Sequence, residues 1–358
     1  SYPGVSTARA AHIPETVPVL ETHRIDEDAL RRYLEAHVPN FAGPITVRQF
    51  LGGQSNPTYH IQAAQKAYVV RRKPPGKLLP SAHAVDREYR VITALAGTDV
   101  PVPRTYALCE DPSVLGTPFY VMDYVYGRVL VDPMLPDLPP AERATIYENM
   151  IDVLARLHRV DWQAVGLADF GRPGNYYARQ IHRWSQQYRA SETERIEAME
   201  SLIEWLPAHI PPDDLTTLVH GDYRLGNTII HPTEPRILAV LDWELSTLGH
   251  PLADLAYSSV TSRWGPEGLY SFKDRNAVPA GIPTEEEYVR AYCRRTGRAG
   301  IPDWHFYIAF ALFRLAAIAQ GIMGRVRDGT ANDPGAAERG RRARPLAEEA
   351  RSVVASRI

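Results

Sequence analysis

The pattern of apolar residues changes once along this chain of 358 residues, from strand-like to helical. Three strands are predicted from Ile45 to Lys73, with the turn LGGQSNP between the first two. A helix is predicted from about Ser81, and FYVMDYV at 119–125 predicts a further strand that ends at Gly127. Farther on, apolar residues recur at helical spacing, at Ile146, Met150, Val153, Leu154 and Leu157. A strand-rich first third and a helical remainder predict an α+β protein with two lobes.

Length, charge and composition exclude several classes of protein. A chain of this length, with 23% charged and 44% apolar residues, is typical of a soluble globular protein with two domains. The formal net charge of -2 argues against nucleic acid as the main partner. Cys109 and Cys293 lack metal-site spacing, and the first residues lack a signal-peptide pattern, so we expect a cytoplasmic protein. The apolar stretch Tyr307–Met323, which Arg314 interrupts, is interpreted as a buried core helix rather than a membrane span.

One segment, LVHGDYRLGNTIIHPTEPRILAVLDWE at 218–244, places polar side chains beside apolar strand-like runs. The turn PTEP predicts a hairpin that returns Asp242 to the neighbourhood of Asn227. An Asn oxygen beside an Asp carboxylate forms a hard-oxygen site suited to Mg²⁺. Asp222, five residues before Asn227, is placed to accept a proton from an incoming hydroxyl. The alternative is that these residues only cap turns.

The same residues carry a family resemblance. His220-Gly221-Asp222, followed by Asn227 and by Asp242 in LDWE, resembles the catalytic and metal loops of the aminoglycoside phosphotransferase superfamily. That kinase-like superfamily uses H-G-D-x-x-x-x-N where protein kinases use H-R-D-x-x-x-x-N, and D-x-E or D-x-D where they use D-F-G. The resemblance covers the chain from about Ile25 to the end.

The resemblance implies a fold and a chemistry. The fold is α+β, bilobal and protein-kinase-like, with an antiparallel-sheet lobe that binds nucleotide and a mainly helical lobe for catalysis and substrate. Its implied boundaries are an extension at 1–24, the first lobe at 25–124 and the second at 125–358. The implied cofactors are ATP and Mg²⁺, with Asp222 as the catalytic residue and Asn227 and Asp242 as metal ligands. Glu244 would either assist a second metal or bond to the catalytic loop.

In such kinases the turn between the first two strands holds the phosphates. This implies nucleotide contacts for Gly52, Gly53, Ser55 and Asn56, although LGGQSN departs from G-x-G-x-x-G. An ordinary Gly-Gly hairpin turn is the alternative.

The third strand, AYVVRRK, should supply the cation that holds the α- and β-phosphates. The resemblance places Arg71 in that position, Glu88 as its ion-pair partner and Val69 against the adenine. Arg72 and Lys73 leave the register open, and a solvated basic strand end is the alternative.

The strand at 119–125 resembles the segment that reads the adenine edge through its backbone. This implies nucleotide contacts for Met122, Asp123, Tyr124 and Val125, with the side chain of Asp123 in solvent. Asp254 in GHPLADLAY is expected to brace the catalytic loop. His158 is interpreted as a helix C-terminal residue that interacts with the helix dipole and local carbonyls.

Two other functions remain as alternatives. A protein kinase is disfavoured because Asp254 follows Asp242 by only twelve positions and no A-P-E follows, which leaves little room for an activation loop. A nucleotide-sensing pseudokinase predicts loss of a catalytic acid or metal ligand, whereas Asp222, Asn227 and Asp242 are all present.

The acceptor is expected to be a small molecule with a hydroxyl group, with no nucleic acid or membrane partner. Polycationic aminoglycosides require an acidic pocket, but the acidic helix predicted at Ser191–Leu206 spreads its glutamates around the helix. The arginine-rich stretch Arg325–Arg344 suits an anionic partner better, with solvated helix ends as the alternative.

The amino-acid sequences of three segments indicate which members of the superfamily this chain resembles. GGQSNPTY, VVRRKPPGKLLPSAH and LDWELSTLGHPLADLAY are most similar to the kinase domain that some animal acyl-CoA dehydrogenases carry, and to its free-standing bacterial relatives. This similarity implies phosphorylation of a hydroxyl on an acyl-CoA, such as a 4-hydroxyacyl-CoA. An aminoglycoside or another small alcohol is the alternative acceptor.

Overall fold

The computed structural model describes residues 15–51, 56–76, 84–265, 268–269, 278–331 and 333–356. These residues fall into two compact units. Unit 1 contains the described residues up to Val131, together with Gln163–Leu167 and Leu225–Ser246. Unit 2 contains Asp132–Trp162, Ala168–Arg224 and the described residues from Thr247 onward. Residues 225–246, which follow the implied boundary at 125, therefore belong to unit 1.

Unit 1 is built on one antiparallel sheet. Its strands are β1 (Thr16–Val17), β2 (Thr46–Phe50), β3 (Thr58–Gln62), β4 (Ala67–Arg72), β5 (Thr105–Cys109) and β6 (Phe119–Asp123). They are ordered β1–β2–β3–β4–β6–β5, and every neighbouring pair is antiparallel. The sheet predicted for the first third of the chain is therefore confirmed, and residues 16–17 form its edge strand.

Successive residues of a strand face opposite sides of the sheet, so both sides carry side chains that helices can cover. One face buries Tyr68 and Val70 of β4 in a cluster with Leu30 and Leu34 of α1 (Glu27–His37). The helix α2 (Val85–Leu95) contacts β5 and β6, and α3 (Pro112–Leu115) contacts α1. The described part of α2 begins at Val85 after Ala84 at the N-cap position, and the predicted N-cap, Ser81, lies outside the described residues.

A hairpin completes unit 1. After β7 (Thr217–Val219), which belongs to unit 2, come β8 (Thr228–Ile230) and β9 (Ile237–Val240), which pair in antiparallel fashion in unit 1. This confirms the hairpin predicted from PTEP. Gly127 lies so close to the carbonyl of Ile230 that a Cβ atom there would collide with it.

Unit 2 is mainly helical. Its helices are α4 (Pro140–His158), α5 (Tyr176–Ser191), α6 (Glu197–Ala208), α7 (Pro251–Thr261), α8 (Glu285–Thr296), α9 (Trp304–Arg327), α10 (Ala336–Gly340) and α11 (Ala343–Ala355). Strand β7 pairs with β10 (Thr247–Gly249), and β11 (Trp264–Gly265) pairs with β12 (Gly268–Leu269). The helix predicted from the spacing of Ile146 to Leu157 is confirmed as α4.

The single acidic helix predicted over residues 191–206 is wrong. α5 ends at Ser191, α6 begins at Glu197, and the intervening Ile196 is buried. Gln320 donates hydrogen bonds to the carbonyl of Ser191 and to Thr193 Oγ1, at 2.8 and 3.0 Å. A contact from α9 therefore stabilises a break that the local sequence does not mark.

Helix α9 is the long apolar helix of unit 2. It is long and apolar enough to cross a membrane, but 67% of its most apolar window is buried within the protein. It packs against α5, α7, α10 and α11. This burial agrees with its interpretation as a core helix.

Candidate active site

A buried ion pair on unit 1 joins β4 to α2. Arg71 Nη1 lies 3.2 Å from Glu88 Oε1 and 2.9 Å from Asp242 Oδ1. The predicted pairing of Arg71 with Glu88 is therefore present, and both residues are buried. Burial lowers the pKa of Arg71, but Glu88 and Asp242 outweigh this effect and hold it above its ordinary value.

Glu88 is held by two further donors. Asn56 Nδ2 donates to Oε2 and the Tyr120 hydroxyl donates to Oε1, each at 3.0 Å. Burial raises the pKa of Glu88, while Arg71 and Tyr120 lower it in part. Sequence reasoning missed Tyr120, although it is the cross-strand partner of Arg71 and a strand register could have revealed it.

Arg72 lies on the opposite face of the sheet from Arg71. Its Nη1 donates to the carbonyl of Leu115 at 3.0 Å, and its guanidinium lies over the ring of Tyr59 at 5.9 Å. Arg72 is therefore engaged with the α1 side of the sheet, and the Arg71 register is the one that joins Glu88 and Asp242.

The predicted metal ligands come together at the end of the β8–β9 hairpin. The amide of Leu241 donates to the carbonyl of Asn227 at 2.8 Å, so Asp242 follows directly after a residue bonded to Asn227. Asn227 is buried, and Asp242 has a left-handed backbone with φ of 60°. The part of the chain that the structure describes holds no group of three acidic, His or Cys side chains suited to a metal. One carboxylate and one amide fit Mg²⁺, which keeps waters and binds phosphate oxygens.

The predicted adenine segment is partly engaged within unit 1. The backbone N–H groups of Asp123 and Tyr124 donate to the carbonyls of Arg104 and Ala67, at 2.8 and 3.3 Å. The side chain of Asp123 is not in solvent as expected, since it accepts a hydrogen bond from Tyr106 at 2.6 Å and pairs with Lys66 at 2.7 Å.

The remaining residues predicted to contact nucleotide lie on β4 and β6, next to them, or outside the described residues. Val69 and Met122 are buried cross-strand partners on β4 and β6, and Val125 follows the segment just described. Gly52, Gly53 and Ser55 lie outside the described residues. Asn56 bonds to Glu88, so its described contact is with the ion pair rather than with the phosphate turn.

In unit 2, Asp254 braces the backbone that precedes Asp222. Its Oδ2 accepts from the amide of His220 at 2.8 Å, and its Oδ1 accepts from the amide of Gly221 at 2.9 Å. The predicted bracing is therefore confirmed. Burial raises the pKa of Asp254, but His158 and the amide of Gly221 outweigh burial and hold it below its ordinary value.

His158 has a different role from the one expected. Its Nε2 lies 2.9 Å from Asp254 Oδ2, and its Nδ1 lies 2.7 Å from the Tyr292 hydroxyl. Both partners are distant in sequence, so the expected contact with local carbonyls is wrong. His158 instead links α4 to α7 and α8.

Asp222 is surrounded in unit 2 by hydrogen-bond donors. Its Oδ1 accepts from the Tyr257 hydroxyl, and Arg224 Nε lies 3.3 Å from the same oxygen. Arg314 donates to the carbonyl of Gly221 at 3.0 Å, and its guanidinium lies 5.3 Å from the Tyr257 ring centroid. Sequence reasoning missed Tyr257. It noted Arg314 only as an interruption, although a lone charge in an apolar helix is itself a signal of function.

A family model described as "Phosphotransferase enzyme family" matches residues 46–309. Acyl-CoA dehydrogenase family member 10 of Mus musculus is 49% identical over 340 residues, which cover 94% of this chain and 32% of that protein. The chain spans less than half the length of the curated relatives that it matches.

Solved structures agree in fold. A Ralstonia eutropha crystal structure, provisionally assigned as an aminoglycoside phosphotransferase, is 52% identical with a TM-score of 0.84, covering 93% of this chain and 99% of that one. Aminoglycoside phosphotransferase APH(4)-Ia, solved with ADP and hygromycin B, is 16% identical with a TM-score of 0.59, covering 90% and 97%. The second likeness shows the fold alone. The protein-kinase-like fold implied by the sequence is confirmed.

Proposed function

Because the chain belongs to the phosphotransferase enzyme family, we propose that it is an ATP- and Mg²⁺-dependent kinase whose acceptor is the hydroxyl of a hydroxyacyl-CoA. In the reaction the hydroxyl oxygen forms a bond to the γ-phosphorus, the bond to the β-phosphate oxygen breaks, and ADP leaves. The transfer chemistry is supported by a feature of each unit: the hydrogen bonds to Asp222 in unit 2, and the Arg71–Glu88–Asp242 cluster in unit 1.

Each residue has one task in this proposal. Asp222 orients the acceptor hydroxyl and takes its proton, and Arg71 holds the phosphates of ATP. Asn227 and Asp242 would hold Mg²⁺, which when bound neutralises charge on the β- and γ-phosphates. Asp254 keeps the backbone before Asp222 in place through two amide hydrogen bonds.

The acyl-CoA acceptor is supported by the names and lengths of the relatives. The curated relatives are named acyl-CoA dehydrogenases, and the matched region accounts for 32% of the mouse protein and 44% of the chicken one. A kinase region joined to a dehydrogenase region favours related substrates, since neighbouring active sites on one chain commonly act in sequence. A hydroxyl on an acyl-CoA is therefore the proposed acceptor.

Charge in unit 2 supports an anionic acceptor. The guanidinium groups of Arg314 and Arg183 lie 5.6 and 5.5 Å from the ring centroid of Trp184, and Arg314 also lies over Tyr257. Within the described ranges, neither arginine is paired with a carboxylate. Arg314, which bonds to the carbonyl of Gly221, would attract a phosphate-bearing acceptor and repel a polycation.

The acidic segment offers less to a polycation than its composition indicates. Glu192 and Glu200 both pair with Arg189, at 2.7 and 2.5 Å. Glu197 pairs with Arg195 at 2.6 Å. These ion pairs reduce the net negative charge that the segment offers to an aminoglycoside. In the arginine-rich stretch 325–344, Arg327, Arg339 and Arg344 form surface ion pairs with acidic side chains.

The test is ADP release measured over hydroxyacyl-CoAs, free hydroxy acids, choline, sugars and aminoglycosides. We expect turnover of 4-hydroxyacyl-CoAs and no useful turnover of kanamycin-like drugs. Asp222→Asn should keep nucleotide binding and lose about 10²- to 10⁴-fold in turnover, the usual worth of a positioned base. The control is Asp152→Asn, which removes a half-exposed carboxylate of α4.

Three outcomes would count against parts of the proposal. Turnover of an aminoglycoside with silence on every CoA ester would replace the acceptor but keep the kinase. Unchanged turnover in Asp222→Asn would remove its catalytic role. Metal-independent nucleotide binding without any turnover would favour a sensing protein.

A further inference from the structure

We propose that Tyr257 is a positioning residue that fixes the orientation of Asp222 for acceptance of the substrate proton. The inference rests on the proposed role of Asp222. It is carried by the hydrogen bond that the Tyr257 hydroxyl donates to Asp222 Oδ1. Tyr257 lies on α7 at the edge of the core, with 8% of its surface exposed, so its ring has little freedom to leave this position.

The hydrogen bond restricts the carboxylate in a useful way. The side chains of Tyr257 and Arg224 both contact Oδ1 of Asp222. A carboxylate held through one oxygen cannot rotate freely about its Cβ–Cγ bond, so the direction of Oδ2 is also set. Fixing that direction in advance lowers the entropy cost of reaching the reactive geometry.

Arg314 holds the tyrosine and the loop together. Its guanidinium lies over the Tyr257 ring at 5.3 Å, and its Nη2 donates to the carbonyl of Gly221, the residue before Asp222. A cation over the face of a phenol ring is attracted to the ring, so Arg314 helps to hold Tyr257 in place. This accounts for the position of a charged residue in the otherwise apolar part of α9, a feature that the core role of that helix does not explain.

Asp254 acts from the same helix by a different route. It lies three positions before Tyr257 on α7 and holds the amides of His220 and Gly221. One helix therefore fixes the backbone through Asp254 and the side chain of Asp222 through Tyr257. Among the described residues, Arg224 and Tyr257 contact the carboxylate, while His220, Asp254 and Arg314 contact the backbone of residues 220–222.

The test is Tyr257→Phe in the full chain, which removes only the hydroxyl. We expect kcat to fall by roughly 10- to 100-fold, the worth of one hydrogen bond to a charged group, with the KM for ATP unchanged. A residue with only a structural role would lower the melting temperature and would reduce kcat equally whether or not Asp222 carries its carboxylate.

Two controls make the measurement specific. Tyr147→Phe removes another buried hydroxyl of unit 2, one that donates to the carbonyl of Pro133, and should leave kcat unchanged. In an Asp222→Asn background, Tyr257→Phe should have little further effect, because the group that it positions is already gone.

The assays use whichever acceptor the unmodified protein turns over. A different acceptor from the one proposed would correct the substrate while the Tyr257 comparison is made on that acceptor. A kcat equal to that of the unmodified protein would overturn the role of Tyr257. Equal losses from Tyr257→Phe in the presence and absence of the Asp222 carboxylate would do the same.

A second variant, Arg314→Lys, keeps the tyrosine hydroxyl but gives up the planar guanidinium. We expect a smaller loss of kcat than in Tyr257→Phe. A large loss here with none in Tyr257→Phe would transfer the role to Arg314 and contradict the proposal.

Discussion

Arg71 and Arg72 are neighbours in sequence with opposite environments. Arg71 faces the carboxylates of Glu88 and Asp242, while Arg72 bonds to backbone carbonyls on the α1 side of the sheet. The two-residue period of a strand produces this difference. If the register of β4 shifted by one residue, Arg72 would face Glu88 and Asp242, and Arg71 would face the α1 side of the sheet.

This difference gives a paired prediction. Arg71→Ala should weaken ATP binding by roughly 10- to 100-fold, because a charge-assisted contact with phosphate is lost. Arg72→Ala should leave ATP affinity close to that of the unmodified protein while lowering the free energy of unfolding by about 1–3 kcal/mol. Titration calorimetry and urea unfolding measure the two quantities. The reverse order of ATP affinities would move the phosphate contact to Arg72.

At the residue scale, the sequence predicted individual side chains better than their contacts. The H-G-D-x-x-x-x-N spacing singled out Asp222 and Asn227, whose roles stay predictions. Tyr257 and Tyr120 could not be found this way because each meets its partner across a long stretch of chain. Asn56 was assigned to phosphate, but it donates to Glu88, a contact that only the folded sheet creates.

At the scale of elements, α7 stabilises the loop that carries Asp222. The Asp254 carboxylate accepts two backbone amides and contacts His158, so it replaces hydrogen bonds that the loop would otherwise make with water. Buried amides without acceptors are costly, which makes this carboxylate important for stability as well as for geometry.

Asp254→Asn should therefore lower the free energy of unfolding by about 1–3 kcal/mol at neutral pH, since the amide group cannot accept both bonds. The pKa of Asp254 is held below its ordinary value. Its contribution is therefore fully present above the unfolded pKa, about 3.9, and is lost as pH falls through the lower folded value. Urea unfolding from pH 7 to pH 3 should show the difference between the proteins shrinking at the acid end. A constant difference down to pH 3 would contradict this account.

Element boundaries show where local pattern is sufficient. The β8–β9 hairpin was predictable because PTEP separates two short apolar runs. The break between α5 and α6 was not, because the charged residues there suit a helix and the decisive contact comes from Gln320 on another helix.

At the scale of the whole molecule, the acceptor is harder to predict than the reaction. Transfer chemistry needs a few residue types at fixed spacing, which a sequence displays directly. Recognition of an acceptor depends on surfaces assembled from several helices, such as the arginines around Trp184. The fold class was therefore predictable from pattern and resemblance, whereas the hydroxyacyl-CoA stays a proposal.

The effect of Mg²⁺ concerns the whole molecule, because a ligand that binds only the folded protein also stabilises the fold. Mg²⁺ should tighten ATP binding and raise the melting temperature of the unmodified protein. Asp242→Ala should abolish the effect of Mg²⁺ on ATP affinity, because the proposed carboxylate ligand is lost. Thermal shift and calorimetry with and without Mg²⁺ measure this. The control is Asp111→Ala, which removes the carboxylate that caps α3. Persistence of the Mg²⁺ effect in Asp242→Ala would assign the metal to another residue.

The left-handed backbone of Asp242 sets a direction for evolutionary loss. Its φ of 60° is one that glycine adopts readily and that other residues adopt at a cost of about 1 kcal/mol or more. Among replacements that remove the carboxylate, glycine therefore burdens the fold least, and Asp242→Gly should be more stable than Asp242→Ala. A lineage released from selection for catalysis would drift toward glycine at this position. In a related chain, glycine here would preserve the backbone conformation without the proposed metal ligand.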